Sequence, residues 1–328
     1  MTKRHSEDWK GKNLWARKKN SPPGQNQMNN TLIVLLGPTG VGKTDVSIDI
    51  ARHFGCEVIS ADSRQFYTEM KIGTAIPSED QLNEIKHHFI RFISVKEFYS
   101  SSLFERDVLK ILPELFQKNK MVLMTGGSGM YIDAVCSGID DIPDPDQLVR
   151  DKYTLLYERE GIGGLRLALK ILDPDHYENV DLRNPKRMIR ALEVCESTGR
   201  PYSSFLTKQK RQRDFKILKV GLERSREELN ERINLRVEKM VSEGLEEEAR
   251  DLFGLRNMNA LNTVGYREFF DFFEGKITRE KAIELIKRNS RRYAKRQMTW
   301  WARDKEITWF NPDKTAAIKS FLEFRIKS

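Results

Sequence analysis

Cysteine is scarce in this chain. There are three in 328 residues, Cys56, Cys136 and Cys195, widely separated and forming no CxxC pair or Cys/His cluster. That spacing supports neither a disulfide framework nor a zinc site. No apolar run approaches the roughly 20 residues of a membrane-spanning helix, and no signal-type hydrophobic stretch follows the N-terminus. The expectation is a soluble, cytosolic protein that makes no membrane contact. Low-complexity sequence and internal repeats are also missing after residue 30. What the chain has in excess is positive charge: 57 Lys and Arg against 48 Asp and Glu, a net +9. Such a balance favours a polyanionic partner such as nucleic acid.

Residues 1–30 are polar and basic and include Ser21-Pro22-Pro23-Gly24. They read as a disordered arm. The patterned sequence starts at residue 31. An apolar run over 31–36 leads into Gly37-Pro38-Thr39-Gly40-Val41-Gly42-Lys43-Thr44, and a helical pattern follows to Phe54, with Gly55 as its stop. This is a phosphate-binding loop between a strand and a helix. Its glycines let successive backbone N–H groups turn inward as an anion nest, and the helix points its positive end at the same anion. Lys43 adds a point charge on the terminal phosphate, and the Thr44 hydroxyl is placed to hold Mg²⁺. A nucleotide or another polyphosphate is therefore an expected ligand.

Strands are expected over 57–61, 89–93, 121–125, 215–222 and 307–310, with helices between them. Pro113 predicts a break or kink in the helix over 101–117. Ser225-Arg226-Glu227-Glu228 reads as a capping box opening a helix to about residue 243, stopped by Gly244. One long helix is expected over 278–303. The fold class is α/β, a parallel P-loop sheet with ligands bound beyond the carboxyl ends of the strands. Residues 140–210 begin with an acidic turn-rich linker and continue helical, predicting an all-helical insertion. The expected divisions are a first core part over 31–139, the insertion over 140–210, and a second core part over 211–322.

Asp62 stands at the end of the second strand, beside the P-loop, placed to act as general base or to hold metal through water. P-loop NTPases carry a further acidic residue at the end of a core strand. Here the run over 121–125 ends in Gly126-Gly127-Ser128-Gly129, with no Asp or Glu. That weakens motor and GTPase readings. Over 287–303, Arg288, Arg292, Lys295 and Arg296 fall near one helical face, with Tyr293, Trp300 and Trp301 interleaved. Basic groups that neutralise phosphates and aromatic faces that stack bases suit single-stranded or loop RNA. A solvated basic helix with its tryptophans in the core is the other reading of that segment. Arg232 and Arg236, four apart, share a helix face that could meet a diphosphate from outside the loop.

In combination these segments resemble bacterial tRNA dimethylallyltransferases. The resemblance spans about 31–310 and rests on GPTGVGKT, ISADSRQFY, IGTAIP, TGGSGMYI, NPKRMIRALEV, ERINLRVEKMVSEGL, NTVGYRE and KRQMTWWAR, in that order. It implies transfer of a dimethylallyl group to N6 of the adenosine 3′ of the anticodon, in tRNAs reading codons that start with U. It further implies a diphosphate site on the P-loop joined by Arg236, with Asp62 as base, Lys43 and Arg236 as catalytic cations, and Mg²⁺ as cofactor. Contacts to tRNA fall by the same resemblance on Asp62, Ser63, Arg64 and Gln65, on Ser128, and on Arg150. They continue on Lys186, Arg187, Met188, Ile189 and Arg190, and on Asn262, Thr263, Val264, Gly265, Tyr266 and Arg267. The last group is Lys295, Arg296, Gln297, Met298, Thr299, Trp300, Trp301 and Ala302. The implied partners are the anticodon stem-loop and dimethylallyl diphosphate, and a monomer is expected. Two rivals share parts of the pattern: a nucleoside-kinase-type enzyme with a helical lid, and an RNA-binding module with a relic P-loop.

Overall fold

The computed structural model describes residues 30–328 except 145 and 208, so the basic arm lies, Asn30 apart, outside the described residues. In chain order the first half contains β1 (Thr31–Leu36), α1 (Lys43–Phe54), β2 (Val58–Ser60), α2 (Glu79–Glu84), β3 (His87–His88), α3 (Ser101–Lys118), β4 (Met121–Gly126) and α4 (Gly129–Ser137). Three helices follow, α5 (Gln147–Leu172), α6 (Pro174–Asn179) and α7 (Pro185–Thr198). The chain then forms β5 (Lys216–Leu222), α8 (Arg226–Ser242), α9 (Leu245–Asp251), α10 (Tyr266–Phe273), α11 (Arg279–Trp301), β6 (Thr308–Phe310) and α12 (Thr315–Lys327).

The strands form one parallel sheet in the order β3-β2-β4-β1-β5-β6. Every residue of β1 is buried. Its alternation places Leu32, Val34 and Leu36 in one apolar core and Ile33 and Leu35 in another, on opposite faces of the sheet. The ends of β1, β2 and β4 therefore converge at the centre of a doubly covered sheet, and the loops carrying 37–44, 62–67 and 127–128 leave from that edge. The α/β expectation holds. No strand occurs among the described residues between β4 and β5, and α5–α7 enclose a separate small core of Tyr153, Leu165, Leu169, Met188, Ala191 and Leu192. α5 consists of two helical halves meeting at Gly161 (φ 66°).

Three local expectations are corrected. The strand expected over 89–93 is absent; β3 occupies His87–His88, and Phe89 (φ 63°) and Arg91 (φ 50°) adopt left-handed backbone. The N–H groups of Arg91 and Phe92 donate to the carbonyls of Gln65 and Phe66, both at 2.8 Å. The segment thus clasps the loop after β2, and its rings join a cluster with Phe66, Tyr99 and Phe104. That packing offsets the cost of the left-handed residues. Second, α3 continues through Pro113, which lies exposed on its solvent face, where the lost hydrogen bond is least costly. Third, only half of the capping box forms. The Ser225 hydroxyl accepts the Glu228 N–H at 3.2 Å, whereas the Glu228 carboxylate is taken by Arg224. Helix α12, beyond the last expected strand, was not foreseen.

Candidate active site and nucleic-acid interface

The P-loop folds as its residue types demand. Gly42 takes φ 108° directly before α1, a conformation that a side chain would strain, and it lets the loop close over the helix end. Lys43 lies within the loop and donates to the carbonyls of Gly37 (2.8 Å) and Pro38 (3.0 Å). Burial pushes its ammonium down to about 8, with the Asp62 charge opposing and the Arg236 charge assisting. Three residues brace the loop from outside. Arg224 donates to the Val41 carbonyl (3.1 Å), Arg232 to that of Gly40 (3.0 Å), and Gln297 accepts the Thr39 N–H (2.9 Å).

Asp62 follows β2 as expected. Its carboxylate accepts the Arg64 N–H at 3.0 Å, which fixes the loop that presents it. Close approach of β4 to this loop requires Gly126, because a Cβ there would lie 2.3 Å from the Ala61 carbonyl. Ser128 adds a tie, accepting the Ser63 N–H at 2.9 Å. Arg64 reaches the Ala260 carbonyl at 3.0 Å, and Gln65 holds the Thr74 and Ala75 carbonyls. Both side chains organise the rim of the site.

Two adjoining cavities share Thr39, Asp62, Arg236 and Tyr293. The first, about 410 Å³, is lined by the phosphate loop with Lys43 and Thr44, together with Asp45 and Arg232. The second, about 280 Å³, has an apolar wall of Ile233, Val237, Met240, Leu245, Val264 and Ile286, and its rim carries Asn262, Thr263, Gly265 and Arg267. Arg236 is half-buried and makes no ion pair or hydrogen bond among the described residues, and burial lowers its pKa against the pull of Asp62. A half-buried cation lining two cavities without a protein partner is suited to an anionic ligand. The Tyr293 phenol is pushed up to about 12, first by burial and then by the Asp62 charge. For Mg²⁺, the Thr44 hydroxyl and the Asp45 and Asp62 carboxylates offer hard oxygens on one cavity, while no group of three His, Cys, Asp or Glu gathers among the described residues. That set fits an ion held by one or two carboxylates and completed by phosphate oxygens and water.

The segments expected to meet RNA divide sharply. On α11, Lys287 pairs with Glu238 and Arg291 with Asn234, pinning that face to α8. Arg288, Arg292, Lys295 and Arg296 form no ion pair among the described residues; all four are exposed, and Arg296 lies over the Tyr293 ring. Gln297 and Trp301 are buried, and the Trp300 indole donates to Asp133 (3.0 Å), so these side chains hold α11 against the P-loop and α4. Met298 is half-buried, whereas Thr299 and Ala302 are exposed. On α7, Lys186 and Arg187 are exposed, while Met188 packs in the small helical core. Arg150 and Arg190 both pair with the buried Glu193, and together with Lys186 and Ile189 they line a 490 Å³ cleft facing the N-terminus of α3. Tyr266 is fully buried, its hydroxyl donating to Glu248 at 2.7 Å.

Sequence reasoning missed Arg224, Glu193 and Glu248. Glu248 accepts the N–H groups of Lys71, Ile72 and Gly73 (2.8–2.9 Å), which anchors the segment leading to Thr74 at the second cavity. The signal lay in the juxtaposition of segments far apart in sequence, which no local pattern records.

The site thus combines a P-loop at the edge of a parallel sheet, two cavities sharing the half-buried Asp62, and a basic helix alongside. A family model described as IPP transferase matches residues 65–304. The chain is 53% identical over 297 residues to tRNA dimethylallyltransferase 2 of Parabacteroides distasonis, covering 90% of this chain and 99% of that protein. It is 54% identical over 285 residues to tRNA dimethylallyltransferase 1 of Porphyromonas gingivalis, with 87% and 95% covered. Among solved structures, the full-length tRNA isopentenylpyrophosphate transferase from Bacillus halodurans aligns with a TM-score of 0.66 at 33% identity, covering 91% of this chain and 97% of that one. A eukaryotic dimethylallyltransferase acting on tRNA aligns with a TM-score of 0.72 at 26% identity, covering 86% and 74%. The chain belongs to the IPP transferase family. No helix among the described residues is long and apolar enough to cross a membrane.

Proposed function

We propose that this protein transfers the dimethylallyl group of dimethylallyl diphosphate to N6 of the adenosine 3′ of the anticodon, in tRNAs reading codons that start with U. The observation that carries this reading is the pair of cavities joined at Asp62 and Arg236, one phosphate-binding and one with an apolar wall. The diphosphate sits in the P-loop, and the five-carbon tail meets the wall of Ile233, Val237 and Met240. The C1–O bond breaks as the exocyclic amine attacks C1. Negative charge grows on the departing diphosphate, where Lys43, the loop amides and Arg236 stabilise it. The amine is a poor nucleophile because its lone pair is delocalised into the ring, and Asp62 accepts its proton as the C–N bond forms. Thr44, with Asp45, would hold Mg²⁺, which would supply further charge neutralisation on the diphosphate.

The adenosine is stacked in the anticodon loop and must be flipped out to reach Asp62, at a cost of a few kcal/mol. The exposed cations of α11 and of α7 grip the loop backbone around it. α5, α6 and α7 form a subdomain over 140–210 that closes on the anticodon stem-loop. The enzyme works as a cytoplasmic monomer. Ligand-dependent thermal shift tests the small-molecule half of this reading. A non-hydrolysable dimethylallyl diphosphate analogue raises Tm in the presence of Mg²⁺, whereas stabilisation by ATP–Mg²⁺ alone would favour the kinase-type rival.

A further inference from the structure

Phe98 is a large apolar side chain left 55% exposed on a turn that is otherwise firmly tied down. Before it, the Glu97 N–H donates to the Ser94 carbonyl (3.0 Å), and the Glu97 carboxylate accepts the Ser94 N–H (2.7 Å). After it, the Tyr99 ring packs on Phe66 and Phe92, its hydroxyl donates to Asp107 (2.9 Å), and its carbonyl accepts from the Tyr131 hydroxyl. The neighbouring rings are thus absorbed into the core cluster, while Phe98 enters none of the aromatic pairs among the described residues. It lines the 490 Å³ cleft opposite Lys186 and Arg190. A volume in that range admits a small planar ligand.

The cleft opens beside the reaction site. Asn259 lines it, Asn262 lines the apolar-walled cavity, and Arg64 bridges the short helical turn between them through the Asn259 (3.5 Å) and Ala260 (3.0 Å) carbonyls. Its charge is mixed. Arg150 and Arg190 share the one carboxylate of Glu193, Asp140 accepts from the Thr207 N–H and hydroxyl, and neither Lys186 nor Asp144 forms an ion pair among the described residues, so three cations face three carboxylates. A lining of that balance is poorly suited to a run of phosphates and well suited to a base with one phosphate beside it. We infer that Phe98 is a stacking platform for an unpaired nucleobase of the RNA substrate flanking the reacting adenosine, with Lys186 taking an adjacent phosphate. This rests on the proposed function and assigns a base site to a residue that carries no role in the chemistry. A ring held in position in the free protein loses little entropy on stacking, and every base offers a face to it.

Steady-state kinetics on an unmodified anticodon stem-loop RNA, with dimethylallyl diphosphate and wild-type, Phe98→Ala, Phe98→Leu and Phe98→Trp enzymes, tests this. Phe98→Ala raises KM for the RNA by about 5- to 150-fold, the range of base–aromatic stacking. Its kcat and its KM for dimethylallyl diphosphate stay within about twofold. Phe98→Leu behaves like Ala because it keeps apolar bulk without a stacking face, and Phe98→Trp keeps KM at or below wild type. Tm is unchanged in all three, since the ring is exposed. A Phe98→Ala enzyme with wild-type KM for RNA, or a Leu variant as good as wild type, overturns the stacking role. A wild-type enzyme that makes no prenylated RNA contradicts the function itself, a separate outcome.

Discussion

Gln297 bridges the phosphate loop and the loop after β4: its side-chain carbonyl accepts the Thr39 N–H at 2.9 Å, and its amide donates to the Gly127 carbonyl at 2.8 Å. The residue belongs to the helix whose outer face carries Arg292, Lys295 and Arg296. One helix therefore both presents the exposed basic face and fixes the shape of the phosphate loop.

Replacing Gln297 by Leu leaves a backbone donor and acceptor unpaired in the interior, a cost of about 1–3 kcal/mol in stability. With the loop displaced, kcat/KM for dimethylallyl diphosphate falls by about 10- to 100-fold. KM for tRNA changes far less. Gln297→Glu keeps the acceptor for Thr39 but sets a buried carboxylate oxygen against the Gly127 carbonyl beside the phosphate loop, so its loss is at least as large. If the RNA parameter moves and the diphosphate parameter does not, Gln297 contacts the nucleic acid instead.

Asp62→Ala lowers kcat by about 10²–10⁴-fold, the usual worth of a general base, with tRNA affinity little affected. Asp62→Asn is the sharper variant. Its amide oxygen still accepts the Arg64 N–H that fixes the loop, so a loss as large as that of Ala isolates the charge from the shape. Turnover within a few-fold of wild type would make Asp62 a structural cap.

On the proposed function Lys43 and Arg236 act on the same leaving group, so alanine at either reduces kcat/KM, Lys43 more because it sits inside the loop. The double variant is less than additive. The pH profile follows from the depressed pKa of Lys43, about 8 in the free protein. The ammonium is the active form, so kcat/KM for dimethylallyl diphosphate falls as pH rises through about 8. The bound diphosphate favours the ammonium, which moves the corresponding limb of kcat to higher pH. Lys43→Arg removes this limb because a guanidinium does not titrate there. A profile in kcat/KM flat to pH 10 in the wild type would exclude Lys43 as the titrating cation.

tRNA binding weakens steeply with salt, with a log–log slope of roughly −0.7 per phosphate contact on single strands. Neutralising Arg292, Lys295 and Arg296 together flattens that slope and raises KM for tRNA, while kcat at saturating tRNA stays close to wild type. An unchanged slope would assign the grip on the backbone to α7, through Lys186 and Arg187.

Much of this architecture was legible from short-range pattern. The strand, loop and helix around Lys43 are fixed by local residue types, and the Gly55 stop (φ 63°) falls where the sequence places it. The departures arise where tertiary contacts decide. Nothing local distinguishes Phe89-Ile90-Arg91-Phe92-Ile93 from a strand; the clasp on Gln65 and Phe66 makes it a loop. Within 295–302, spacing gave the basic face correctly but could not tell that Gln297 and Trp301 turn inward. Glu248 and Arg224 brace the site from elements remote in sequence, so only the fold reveals them.

The central claim is tested most directly by incubating the protein with unmodified tRNA, dimethylallyl diphosphate and Mg²⁺, digesting the RNA to nucleosides and analysing them by mass spectrometry. The account predicts one adenosine per susceptible tRNA made heavier by a single five-carbon prenyl unit on N6, located 3′ of the anticodon, with Asp62→Ala giving almost none. Adenosine recovered wholly unmodified from an enzyme that binds both substrates, or a prenyl group found on another nucleoside, would contradict it.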